Sequence, residues 1–156
     1  MSIDLPKLKQ FVHQQPCIQM AVEAMESLQP HFEGHSHLTA QPEGATNSPH
    51  FKLTLYAHPV AGGTPMPILI LKFYPERVDI PNMILPPDLH RRGAMIGALG
   101  RMTETARQMK FEVNVVDLVG SQHQRLIRRG AHQLPRRDEV RLHVGMDFTP
   151  SSGPSS

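Results

Sequence analysis

The chain has 156 residues, a formal net charge of +2, and 39% hydrophobic against 19% charged residues. That length suits about one domain with a sizeable core, and no run of about 18 apolar residues is present to span a membrane. One cysteine, Cys17, excludes an internal disulfide and suits a reducing compartment. The N-terminus MSIDLPKLKQFV has no apolar signal core, so a cytoplasmic location is expected.

In chain order, residues 5–15 and 16–29 read as two short helices or one interrupted helix. Cys17, Ile18, Ala21, Val22, Met25 and Leu28 fall at helical spacing, and Pro16 sits where a first turn tolerates it. Cys17 reads as a small packing residue, with nothing nearby to activate a thiolate. Residues 30–50 are rich in Pro, Gly, Ser, Thr and His and read as a long loop, with room for a short strand at HSHLTA. His31, His35 and His37 are a surface cluster in this reading. His35 and His37 would share a strand face, a spacing a metal could use, but no cysteine accompanies them.

FKLTLYAH (51–58) and ILILKFY (68–74) read as an antiparallel hairpin around a Gly/Pro turn. The apolar ILILKFY suits either sheet core or the edge of a homodimer. RVDIPNMIL (77–85) reads as a third strand, with Pro81 implying an edge or a bulge. A helix to about residue 110 follows, then the strand FEVNVVDL (111–118). A helix over 120–129 comes next, for which Ser121 is the expected cap. The strand EVRLHVGMDF (139–148) ends the fold. Residues 1–148 therefore read as one α/β (α+β) domain with a mixed sheet, and TPSSGPSS as a disordered tail, 149–156.

Charge is uneven along the chain. Residues 91–141 hold eleven Arg or Lys against five Asp or Glu, and residues 1–90 hold five against eight. The basic half begins inside LPPDLHRRGAMIGALG (85–100), where His90, Arg91, Arg92 and Gly93 stand at a strand–turn–helix junction. A helix start presents unpaired amides and a positive dipole end to an anion, and glycine lets a phosphate come close. The plainer alternative is a turn glycine beside solvated arginines.

This segment resembles the cofactor-binding motif of the GNAT superfamily of acyl-CoA N-acyltransferases, V-x-P-x-x-Q/R-x-x-G-x-G/A. Leu85 takes the apolar position, Pro87 the proline, His90 the Q/R position, Gly93 the first glycine and Met95 the last small residue. VNVVDLVGSQHQRLIRRGA resembles the second family block, with Gly130 at its glycine and Leu126 where a tyrosine usually donates a proton to the leaving thiolate. The resemblance spans roughly residues 51–148, and a helix opens the chain where the family usually has a strand.

The resemblance implies a mostly antiparallel central sheet flanked by helices. It also implies acetyl-CoA as acyl donor and direct transfer to an unidentified amine or protein acceptor. His90, Arg91, Arg92, Gly93, Ala94 and Met95 would bind the pyrophosphate, with Gly97 available after a small shift of register. A backbone amide near Ile84 or Leu85 would polarise the thioester carbonyl. Glu76, Asp79 and Asp117 are the candidate bases, and His123 lies where a replacement acid would act. Two rival readings stand beside this one. One is a GNAT-like fold that has lost catalysis and serves binding or regulation. The other is a basic nucleic-acid-associated module using Arg125, Arg128, Arg129, Arg136 and Arg137.

Overall fold

The structure is a computed structural model that describes residues 2–44, 50–81 and 93–150. Within these residues the chain is a mixed α/β protein: a seven-stranded, mostly antiparallel sheet with four helices. The helices are α1 (Leu5–Phe11), α2 (Ile18–Phe32), α3 (Ala94–Met109) and α4 (Gly120–Arg128). The strands are β1 (Ser36–Glu43), β2 (Phe51–Pro59), β3 (Met66–Tyr74), β4 (Arg77–Pro81), β5 (Glu112–Val116), β6 (His132–Gln133) and β7 (Val140–Leu142).

Helix α1 starts because the Asp4 carboxylate accepts from the Lys7 amide at 3.2 Å and proline falls in the first turn. Helix α2 buries Ile18, Met20, Ala21, Val22, Ala24, Met25, Leu28 and Phe32, a stripe wide enough to carry it through Pro30. The expected loop from residue 30 is therefore corrected. Proline near a helix end removes little, and burial of Leu28 and Phe32 on either side holds the last turn.

The short strand allowed for at HSHLTA is present as β1, and it runs three residues further, to Glu43. Leu38, Ala40 and Pro42 alternate with polar residues, and the strand pairs with β2 from Ser36↔Pro59 to Glu43↔Lys52. Only the extension over Gln41, Pro42 and Glu43 went beyond the expected strand. As an edge strand it tolerates Pro42, which has no amide to donate. Ile3 closes this edge by exchanging two backbone hydrogen bonds of 2.8 Å with Ala40, which blocks further strand addition there.

Strands run in the order β1-β2-β3-β4-β5-β7-β6. ILILKFY lies in β3, inside the sheet between β2 and β4, so it is core and not a dimer edge. Pro81 likewise ends an interior strand rather than marking an edge. The remainder of the expected third strand, beyond residue 81, lies outside the described residues. The last strand is three residues, not ten, because the chain turns away at His143, where the Met146 amide bonds back to the His143 carbonyl at 3.1 Å.

One sheet face is apolar. Leu53, Leu55, Leu69, Leu71, Phe73, Val78, Ile80, Val113, Val115, Val140 and Leu142 are all buried there. Phe51 and Phe73 stack with ring centroids 4.8 Å apart. Helices α2 and α3 pack side by side, and Gly97 faces Ser27 of α2, not the sheet. Arg101 of α3 ties the pair from outside through Glu23, its Nη2 lying 2.6 Å from Oε1. Cys17 is buried at the start of α2 as expected, and burial pushes its thiol up. No helix among the described residues is long and apolar enough to cross a membrane.

Candidate functional site

The sheet has one parallel pair among its described ladders, β4 with β5, in register from Arg77↔Glu112 to Pro81↔Val116. Parallel strands need a crossover, and α3 lies within it. Helix α3 ends at Met109, just before Glu112, which pairs with the first residue of β4. Its N-terminus therefore lies at the other end, beside the carboxyl ends of β4 and β5. Helix α4 begins at Gly120, four residues after Val116, so its N-terminus reaches the same edge. Two helix starts, each with unpaired amides and partial positive charge, converge there. The turn before β7 joins them, since the Leu118 amide donates to the Asp138 carbonyl at 3.0 Å.

That edge is where open sheets with a switch in strand direction bind ligands. Its charged residues suit an anion. Arg136 is balanced by Glu139, 2.9 Å away, while exposed Arg137 has no carboxylate within 4.0 Å among the described residues. Asp117 is the local acidic exception. It sits exposed just past β5 in a left-handed conformation, φ 57°.

The predicted residues separate into two groups. Ile84, Leu85, His90, Arg91 and Arg92 lie outside the described residues. Gly93, Ala94, Met95 and Gly97 are at the start of α3. Ala94 is fully buried and Met95 is half-buried against the core, so any contact with an anion from either would come from the backbone amide. Gly97 donates its amide to the Gly93 carbonyl at 3.0 Å and is committed to the helix.

Of the four candidate acid–base residues, Asp117 and His123 are at this edge. Glu76 is exposed in the β3–β4 turn at the opposite end, with φ 132°. Pro81 is five residue steps further along, roughly 16 Å at the usual rise. Asp79 is mid-strand on the sheet's polar face. Arg77 Nε lies 3.1 Å from its Oδ1, and buried Asn114 donates to the same oxygen at 3.4 Å. Arg141 in turn reaches Asn114 at 3.3 Å and Glu112 at 3.0 Å. Asp79 is thus one member of a cross-strand polar row and is ion-paired with the Arg77 guanidinium.

His123 has a defined arrangement. The Gln133 side-chain amide donates toward the carbonyls of Leu134, Arg136 and Glu139 at 2.8, 3.0 and 3.2 Å. Its Oε1 is then the acceptor that faces His123 Nε2. The imidazole hydrogen belongs on Nε2, which leaves the lone pair on Nδ1 in the neutral ring. The cap of α4 is Val119, not Ser121, and makes no side-chain bond. Leu126, at the position of the family tyrosine, is buried at 4% exposure and has no proton to give.

Two features went unread in the sequence. Asn114 interrupts an apolar strand, a visible signal of a buried polar role. The other is the C-terminal segment, expected to be disordered from residue 149. Instead Phe148 packs on Gly100, where a Cβ would come within 2.9 Å of its Cβ and Cγ. Pro150 packs on Gly93, where a Cβ would come within 2.6 Å of its Cβ. Arg129 Nη1 donates to the carbonyls of Asp147 and Thr149 at 3.0 and 2.7 Å, and the Asp147 amide donates to the Arg129 carbonyl at 2.9 Å. Residues 151–156 lie outside the described residues. Among the described residues no group of three or more His, Cys, Asp or Glu could hold a metal. His37 instead stacks on His58 at 4.8 Å, and Thr39 Oγ1 bonds His58 Nε2 at 2.7 Å.

The Asp147 carboxyl is held below the usual carboxylate range, by the Thr149 hydroxyl first, then the Thr149 amide, with Arg129 contributing. A carboxyl lowered in the folded state stabilises that state at and above its ordinary range, and the contribution vanishes as pH falls through the lowered value. The expected result is loss of amide-exchange protection at Thr149 in acid below the ordinary aspartate range. An Asp147→Asn variant should lose that dependence; an unchanged pH profile in the variant would contradict the assignment.

No family model, no curated protein and no solved structure matches this chain.

Proposed function

We propose that the chain is an acyl-CoA-dependent N-acyltransferase of the GNAT type, using acetyl-CoA and transferring directly to an amine. The observation that carries this reading is the parallel β4–β5 pair bridged by α3, with the N-termini of α3 and α4 at one edge. The sheet order β1-β2-β3-β4-β5-β7-β6 supports it, as does the fit of LPPDLHRRGAM to the family motif without a gap. On this reading the first-turn amides of α3 take the pyrophosphate, with added charge from Arg91 and Arg92, which precede the helix in sequence. His123 is the base best prepared by its surroundings, because Gln133 fixes its tautomer. Asp117 is the second candidate at the same edge.

Buried Leu126 favours a second reading, a GNAT-like protein that binds acyl-CoA without transfer. Calorimetry with acetyl-CoA, followed by a thiol-release assay over a panel of amines and proteins, separates the two. Binding with turnover that falls at least tenfold in His123→Ala is the expected outcome. Binding without turnover on any acceptor supports the second reading. No binding at millimolar acetyl-CoA removes both, and steeply salt-dependent affinity for nucleic acid would then assign Arg125, Arg128 and Arg137 to phosphate contacts.

A further inference from the structure

Nine arginines lie among the described residues, and the fold treats them unequally. Six have a carboxylate within 4.0 Å: Arg77, Arg101, Arg107, Arg129, Arg136 and Arg141. The other three, Arg125, Arg128 and Arg137, are exposed and have none among the described residues. All three fall in one stretch. From Leu118 to Arg137 the sequence holds five arginines and two histidines but no Asp or Glu.

The stretch folds back on itself, so these arginines share one flank. The Leu118 amide donates to the Asp138 carbonyl at 3.0 Å, and His123 meets Gln133 at 2.5 Å. Both contacts dock the turn before β7, residues 134–139, against the first half of α4. Arg125 and Arg128 are three positions apart on α4, which places them on one face. Leu126 is the buried residue of that helix.

Apolar side chains reach solvent on the same flank. Five large ones are exposed among the described residues, and Val119, Ile127 and Val144 are three of them. Val144 belongs here because the turn after β7 is bonded to the end of α4. His143 Nε2 donates to the Gly130 carbonyl at 2.7 Å, and the Asp147 amide donates to the Arg129 carbonyl at 2.9 Å. Cations in a last helical turn complement the helix dipole. That suits Arg125 and Arg128 but not Arg137, at the other end of α4, and it leaves the exposed aliphatic residues unexplained. Nucleic acid is a poorer fit. Phosphates gain nothing from aliphatic neighbours, and residues 118–137 have no Phe, Tyr or Trp on which a base could stack.

We propose that α4, with the 134–139 turn and Val144, is a docking surface for an acidic protein segment that carries apolar side chains. Its carboxylates pair with Arg125, Arg128 and Arg137, and its apolar residues cover Val119, Ile127 and Val144. Arginine suits the role because its planar guanidinium makes two parallel hydrogen bonds to a carboxylate. The absence of local acid keeps those pairing sites open, and the clustered charge steers an acidic partner to them. The inference does not depend on the acyl-CoA reading.

The test titrates the isotope-labelled full chain with a synthetic peptide that alternates Asp and Leu, and follows backbone amides by NMR. Three probes run beside it: the same peptide with Asn for Asp, the same peptide with Ser for Leu, and a single-stranded DNA of equal charge. The expected result is shift changes confined to residues 118–130, 134–139 and 143–145. Affinity should fall about tenfold in the triple variant Arg125→Ala, Arg128→Ala, Arg137→Ala, and by a similar factor for the Asn peptide. It should fall about threefold for the Ser peptide and in Ile127→Ser. Every substituted side chain is exposed, and an unchanged amide spectrum elsewhere shows that each variant folds. Shifts elsewhere, no binding, or equal affinity in the triple variant overturns the surface. Equal affinity for the Ser peptide overturns the apolar half of the partner. Tighter binding of the DNA, lost in the same triple variant, overturns the acidic partner and assigns the arginines to phosphates.

Discussion

Gly93→Ala is expected to lower stability by roughly 2–5 kcal/mol, whereas Gly97→Ala, one turn along the same helix, should be neutral or stabilising by up to about 1 kcal/mol. The two sites differ in conformation and in space. Gly93 has φ 68°, the left-handed region, and a Cβ there would lie 2.6 Å from Pro150 Cβ. The left-handed backbone costs a side-chain-bearing residue roughly 1–2 kcal/mol, and overpacking adds about 1–3. Gly97 is helical, and its added Cβ would make an ordinary 3.6 Å contact with Ser27 Oγ. There alanine gains from its better helix propensity. For a chain of this size the first change corresponds to a melting-temperature drop of roughly 6–12 °C. Chemical denaturation of both variants measures the contrast. Equal midpoints would mean that neither the left-handed backbone at Gly93 nor its contact with Pro150 holds in solution. The same result bears on how ligand data are read: weaker acetyl-CoA binding in a Gly93 variant reports the fold as well as the motif.

Phe73→Ala should have the largest effect in the sheet, about 3–5 kcal/mol. Phe73 is fully buried in an interior strand, is paired with Phe51 across the β2–β3 ladder, and stacks on it at 4.8 Å. Truncation removes apolar burial and leaves a cavity that neighbouring strands cannot close. A double-mutant cycle with Phe51→Ala should return a coupling of about 0.5–1.5 kcal/mol, the size expected of an aromatic pair. Additive effects would show that the rings do not interact beyond their separate burial. Tyr74→Ala, next along the chain, should cost far less. Tyr74 is only partly buried, with the Arg77 guanidinium 4.3 Å above its ring and the His50 ring edge-on at 5.6 Å.

Legibility followed the physical origin of each signal. The β2–β3 hairpin was readable because alternation and a Gly/Pro turn are local. Helix α3 was readable because Ile96, Leu99, Met102, Thr103 and Ala106 repeat at helical spacing and are all buried. Strand β1 was readable only in its first half, since Leu38 and Ala40 are the only strongly apolar residues in an otherwise polar run, and its extension to Glu43 comes from pairing with β2. In the candidate site, Asp79 and Glu76 were chosen for lying on one predicted strand. The turn geometry places Glu76 at the end of β4 opposite the starts of α3 and α4, and the neighbouring strand supplies Asn114 to engage Asp79.

The sequence by itself determined the mixed α/β class, the amphipathic faces of α2 and α3, the packing role of Cys17 and the basic character of the second half. All of these are set by residue type and spacing within about a dozen positions. Only the tertiary structure decided which strand edges are closed and that ILILKFY lies inside the sheet. It also brought the starts of α3 and α4 to one edge, and it fixed what the α3 glycines are for. Gly93 and Gly100 are matched to Pro150 and Phe148, about fifty residues further along the chain. No periodicity encodes such a pairing, because it depends on where Arg129 and the β7 exit send the last residues.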